Sequence, residues 1–127
     1  MYSRTVLEHF TDPRNVGVIE DADGYARLKS SLHDDLIDLY IKVAEDHIVD
    51  IKFRTFGCVA AIASSSMTTE LAKDLSLEEA AQVTEEKVVE ALGGLPENKI
   101  QCSLLAPEAL RRALAHYRLR QANVAPR

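Results

Sequence analysis

Leu36-Ile37-Asp38-Leu39-Tyr40-Ile41-Lys42-Val43, followed by Ala44-Glu45-Asp46-His47 and Ile48-Val49-Asp50-Ile51-Lys52-Phe53-Arg54-Thr55, decides the fold. In the first run Leu39, Ile41 and Val43 alternate with Asp38, Tyr40 and Lys42. In the second, Ile51 and Phe53 alternate with Lys52 and Arg54. A period of two sends successive side chains to opposite faces, so each run reads as a strand with one apolar side. The link from Ala44 to His47 is short and polar, which suits a hairpin between antiparallel neighbours better than a crossover. A further strand near Tyr25 to Leu32 makes the sheet three-stranded.

On the N-terminal side, Tyr2 to Phe10 reads as a short amphipathic helix with Val6, Leu7 and Phe10 on one side. Asp12-Pro13 and Asn15 to Gly17 then impose turns. On the C-terminal side the period becomes helical. From Val59 to Lys73, Ala60, Ala63, Met67 and Leu71 recur on what the spacing predicts to be one buried face. Ser76-Leu77-Glu78-Glu79 matches a capping box, Thr84 can cap a helix reaching Leu92, and Gly93-Gly94 ends it. Leu95-Pro96 opens a loop to Gln101. Ser103 is the expected cap of a last helix with Pro107 in its first turn and Leu110, Leu114 and Tyr117 along one face. The pattern is α+β: a three-stranded antiparallel sheet with helices packed on one face.

The chain has 127 residues, 46% of them hydrophobic and 28% charged, with five Gly and four Pro, which fits one domain spanning 1–127 and argues against disorder. Fifteen Lys and Arg against 20 Asp and Glu leave a net charge of −5, which offers no general attraction to nucleic acid. No apolar run approaches the roughly 20 residues of a membrane span. Two cysteines are too few for a disulfide scaffold, so reduced thiols in the cytoplasm are expected. Charge is unevenly divided: residues 74 to 97 are acidic, whereas residues 108 to 127 carry Arg111, Arg112, Arg118, Arg120 and Arg127 against Glu108. That polarity reads either as solvated faces or as a docking surface.

Cys58, in Thr55-Phe56-Gly57-Cys58, lies between a strand end and a helix start, where free amides and partial positive charge favour thiolate. Cys102 reads the same way, ahead of the last helix. Each cysteine taken alone could equally be a small buried filler. His33-Asp34-Asp35 places an imidazole and two carboxylates in one turn, a group that suits a metal or simply local turn bonding. His9, His47 and His116 name no nucleophile and base pair. Ser64-Ser65-Ser66 lacks the glycine-flanked elbow of hydrolases.

Three segments then point to a family. His9-Phe10, Asp12-Pro13-Arg14-Asn15 and Val16-Gly17 resemble the opening of the iron-sulfur cluster scaffold family of IscU and the N-terminal domain of NifU. Phe56-Gly57-Cys58 with Ala61 to Ser66 is similar to that family's second cysteine and the helix behind it, and Gln101-Cys102-Ser103-Leu104-Leu105-Ala106 to the third. The resemblance covers about residues 1 to 120. It implies a platform, not a turnover enzyme, on which iron and sulfide are assembled into a labile cluster, a 2Fe-2S cluster by preference. Cysteine desulfurase, recipient apo-proteins and other scaffold subunits are the partners it implies. Within that family three cysteines and an aspartate converge at one exposed end. Cys58 and Cys102 match two of the cysteines, as metal ligands and as acceptors of sulfur, and Asp35 matches the aspartate.

The chain also departs from the family pattern. His33 stands where the first cysteine is expected, Asp34 where the turn glycine is, and Gln101 where a histidine precedes the third cysteine. Leu95-Pro96-Glu97-Asn98-Lys99 replaces the Leu-Pro-Pro-Val-Lys read by a dedicated chaperone pair, which argues against recognition by that pair. Imidazole binds iron and zinc, so the implied ligand set is Cys58, Cys102, His33 and Asp35. Fewer thiolates weaken the hold on a cluster and raise its potential. The same set suits tetrahedral zinc, which leaves open a zinc-bound or metal-free module that docks to the assembly machinery and modulates it.

Overall fold

A computed structural model of the chain describes residues 1–30 and 34–123. Helix α1 (Arg4–Thr11) leads to strands β1 (Gly24–Lys29), β2 (Leu36–Ala44) and β3 (His47–Phe56). Helices α2 (Val59–Ala72), α3 (Leu77–Ala80) and α4 (Glu85–Ala91) follow, then a 3-10 helix over Glu97–Ser103 and the long helix α5 (Leu105–Asn123). The strands form one antiparallel sheet in the order β1-β2-β3; the alternation predicts the β2–β3 pair, and β1 ends at Lys29, while Leu32 of the expected strand lies outside the described residues.

The β2–β3 link is tighter than the sequence suggests, because pairing continues to Ala44 and His47 and leaves Glu45 and Asp46 as a two-residue turn. Both have positive φ, 52° and 60°, as a turn that matches the twist of the flanking strands requires. A bulge follows: Lys42 pairs with Asp50 but Val43 with Ile48, so Val49 has no partner. The extra residue resets the period, which allows Ile48 to join Ile51 and Phe53 in the core, with Ile37, Leu39 and Ile41 from β2. On the outer face Asp38 is buried under its neighbours. Arg27 donates to its two oxygens at 2.7 and 2.9 Å, and the Tyr25 hydroxyl donates at 2.7 Å.

The β3 edge of the sheet is covered along its length at two places. The Gly17 N–H donates to the Phe53 carbonyl and the Phe53 N–H to that of Asn15, both at 2.9 Å. Farther along β3, Ile48 exchanges backbone bonds with Leu75 and Asp74. Such cover removes the template that a free strand would offer to another chain. On the β1 side α5 approaches so closely that a side chain at Gly24 would collide with the Ala113 carbonyl.

All helices lie on one face. Helices α2 and α5 lie against the sheet, and α1, α4 and the 3-10 helix pack against α2. Helix α2 is not the one-faced helix its spacing predicts: Ala60, Ala61, Ala63, Ser64, Ser65, Ser66, Thr68 and Thr69 are all buried. Small side chains let three neighbours close round it. The hydroxyls are satisfied locally, Ser65 donating to the Ala61 carbonyl and Thr68 to that of Ser64, each at 2.7 Å. Helix α1 rests on α2 through Val6 and His9, whereas Leu7 is 46% and Phe10 36% exposed, which corrects the predicted face. The reason lies in the partner surface, where Ser66 Oγ meets His9 Nδ1 at 2.7 Å and so makes the imidazole easy to bury.

The capping box at Ser76 and Glu79 and the Thr84 cap are present. Gly93 and Gly94, at φ 80° and 97°, end α4 as expected. Ser103 does not cap α5. Its hydroxyl donates back to the Ile100 carbonyl at 2.6 Å, inside a 3-10 helix where the sequence suggests a loop. Pro107 falls in the first turn of α5. Among the described residues no helix is long and apolar enough to cross a membrane.

Candidate metal centre

Lys29 pairs with Leu36, and Leu36 with Phe56, so the end of β1, the start of β2 and the end of β3 meet at one end of the sheet. Functional loops therefore emerge together. Asp35 directly precedes β2, and its carbonyl accepts from the Ser30 N–H at 2.9 Å, which ties the start of β2 to the residue after β1. Cys58 follows β3 by two residues and is the N-cap of α2, with no side-chain capping bond. Cys102 comes from the 3-10 helix, not from the start of α5, which corrects the parallel drawn between the two cysteines.

These side chains meet. Cys58 Sγ and Cys102 Sγ are 3.4 Å apart, and one carboxylate oxygen of Asp35 completes a group whose members lie within 4.8 Å of one another. Two sulfurs on a tetrahedral zinc at about 2.3 Å would be about 3.8 Å apart, so a small opening of the thiol pair admits an ion. Two soft sulfurs and one carboxylate suit iron or zinc and are a poor match for magnesium or calcium.

Burial pushes the Cys102 thiol up to about 12, with added contributions from its hydrogen bond to Cys58 and from the charges of Cys58 and Asp35. That runs against the thiolate expected from its predicted place at a helix start. Without a cation this thiol keeps its proton. A bound cation reverses the preference, because it offsets the negative charges gathered round the sulfur.

Two supporting residues escape a reading by ligand type. A Cβ on Gly57 would lie 2.7 Å from Asp35 Oδ1 and 2.9 Å from the Ala61 Cβ, so only glycine lets the carboxylate sit against the β3–α2 turn. Ser64, on α2, donates to the carbonyls of Cys102 at 3.3 Å and Ala61 at 3.2 Å, and so ties the 3-10 helix to α2. The Phe-Gly-Cys run and the serine-rich helix were visible in the sequence, but nothing local indicated these contacts. Beside the cluster a cleft of about 340 Å³ is lined by Asp35, Gln101, Cys102, Lys29 and Arg112, among others.

His33 lies outside the described residues, and its predicted place as a ligand is untouched by this geometry. Asp34 is exposed. The other histidines lie elsewhere: His9 is held by Ser66, His47 Nδ1 lies 2.9 Å from the Glu45 carbonyl, and His116 Nδ1 accepts from the Tyr25 N–H at 3.0 Å. Burial, followed by the nearby Arg14, pulls the His9 pKa down.

Helices on one face of a three-stranded sheet, with two thiols and a carboxylate gathered at its loop end, define a small α+β domain with a cysteine-rich pole. The chain belongs to the NifU-like N terminal domain family, whose model matches residues 1–124. It is 56% identical over 117 residues to iron-sulfur cluster assembly scaffold protein IscU 1 of Archaeoglobus fulgidus, a match that covers 92% of this chain and 76% of that one. With IscU of Aquifex aeolicus it shares 43% over 125 residues, covering 97% and 80%. Among solved structures, a putative SUF-system scaffold protein from Fervidobacterium islandicum superposes with a TM-score of 0.73 at 26% identity, covering 89% of this chain and 96% of that one.

Proposed function

We propose that the chain, acting as one domain over residues 1–127, is a scaffold on which iron and sulfide are built into a labile cluster, 2Fe-2S by preference, for transfer to recipient apo-proteins. Its ligands in this reading are Cys58, Cys102 and Asp35, with His33 as the fourth. The observation that carries it is the convergence of two thiols and a carboxylate, from three separate stretches of chain, within 4.8 Å. Membership of the family and the names of its relatives support the assembly role. The cluster is cargo: a set with two thiolates holds it more loosely than four would, as suits a platform that must give it up. Sulfur arrives as persulfide from a cysteine desulfurase and is accepted at Cys58 or Cys102. The work is that of an assembly platform in a reducing cytoplasm, not of a turnover catalyst.

The presence of only two cysteines favours a second reading, in which the same residues hold zinc or nothing and the domain modulates the assembly machinery. Anaerobic incubation with iron, sulfide and a desulfurase, followed by absorption spectroscopy and addition of an apo-ferredoxin, separates the two. The scaffold reading predicts a visible chromophore that passes to the ferredoxin and is lost in Cys58→Ala. Stoichiometric zinc that resists replacement, or no metal, supports the modulating module.

A further inference from the structure

The two sulfurs lie 3.4 Å apart, and the chain has no other cysteine, so any thiol-disulfide chemistry within it must run between these two. They are also unequal. Cys58 is half-buried at the mouth of α2, whereas Cys102 is 5% exposed behind it, packed with Ala60 and Ala61. An incoming sulfur donor reaches Cys58 first. From the geometry we infer that Cys102 is a resolving cysteine, which attacks a persulfide on Cys58 and releases its outer sulfur as sulfide at the place where the cluster is assembled. This rests on the sulfur-accepting role proposed above and adds the source of the electrons.

The step balances within the protein. Cys58 Sγ–SH and Cys102 Sγ–H become a Cys58–Cys102 disulfide and hydrogen sulfide. Cys102 Sγ bonds to Cys58 Sγ, the bond to the outer sulfur breaks, and the pair of electrons leaves with that sulfur. The outer sulfur is reduced and the two cysteines are oxidised. The proton given up by Cys102 ends on the departing hydrosulfide, with the Asp35 carboxylate, within 4.8 Å of both sulfurs, available to relay it. Closing the disulfide requires the sulfurs to move from 3.4 Å to about 2.05 Å. A dithiol reductant then restores the pair.

The test is a single turnover with the full chain, reduced and metal-free, exposed briefly to glutathione persulfide and desalted. Wild type is expected to release sulfide and to gain, mole for mole, a Cys58–Cys102 disulfide found by peptide mapping. Cys102→Ser is expected to keep one added sulfur on Cys58 and to release none, with circular dichroism checking that it is folded. Wild type that retains the added sulfur with no disulfide overturns the resolving role while sulfur acceptance stands. If neither wild type nor Cys102→Ser ever carries or releases the sulfur, acceptance itself fails. The wild-type outcome alone decides the resolving role, so a misfolded variant does not blunt the test.

Discussion

Gly57 and Asp35 are matched to one another: the missing side chain of the first leaves the space in which the carboxylate of the second sits, with Oδ1 2.7 Å from where a Cβ would be. The backbone of Gly57 does not have a positive φ, so its role is close approach and not an unusual conformation.

Gly57→Ala should therefore displace Asp35 and press on Ala61, at a cost of about 1–3 kcal/mol in stability, as overpacking commonly does. Zinc or iron affinity should fall with it, by about tenfold or more for one misplaced ligand. Urea titration and competition with a chromophoric chelator read the two effects. Wild-type affinity in a folded alanine variant would show that the contact is incidental.

Ser64→Ala removes the hydroxyl that joins the Ala61 and Cys102 carbonyls across two helices. The expected loss is about 1 kcal/mol of stability, with weaker metal binding because the segment carrying Cys102 is less firmly placed. Hydrogen exchange should be faster along residues 97–103 than along β2 and β3. Equal acceleration everywhere would instead mean general destabilisation.

Zinc uptake should release protons, because burial holds the Cys102 thiol up near 12 and the metal binds the thiolate. Affinity should rise as pH rises through neutrality. Calorimetry in buffers of different ionisation enthalpy measures the protons directly, and a heat independent of buffer would contradict the ligand role of Cys102.

Away from the site, hydrogen bonds from Arg27, followed by one from Tyr25, hold the Asp38 carboxyl below its ordinary value of 3.8. Its stabilising contribution is present above that value and is lost as pH falls through the lower folded one. Buried His9, whose pKa lies below 6.5, already costs wild type some stability, read as the urea midpoint, as pH falls through that value, and a further loss below about pH 4 belongs to Asp38. Asp38→Asn should be weaker by about 1–2 kcal/mol at pH 6, a modest figure because Arg27 is well exposed, and should show a smaller acid loss. A variant with an unchanged acid limb would remove Asp38 from the explanation.

The sheet was legible because alternation along Leu39, Ile41, Ile51 and Phe53 has one physical cause, a face in oil and a face in water. Helix faces were harder to read. On α1 the apolar Leu7 and Phe10 competed with His9 for the buried side, and hydrogen bonding to Ser66 on another helix settled it. On α2 alanine and serine gave a weak pattern because the helix is covered all round. Ser103 looked like a cap, but its hydroxyl served the preceding turn. The cluster was hardest: Asp35, Cys58 and Cys102 share no spacing, and only a family resemblance grouped them. The pairing of Lys29, Leu36 and Phe56 at one sheet end supplies the physical reason that spacing lacked.

The most direct measurement is X-ray absorption at the zinc edge on the loaded protein, with Cys58→Ser and Cys102→Ser alongside. Wild type should have two sulfurs at about 2.3 Å with the rest of its shell nitrogen or oxygen, and each variant should lose one sulfur. A first shell that is the same in all three proteins would contradict a metal held between these cysteines.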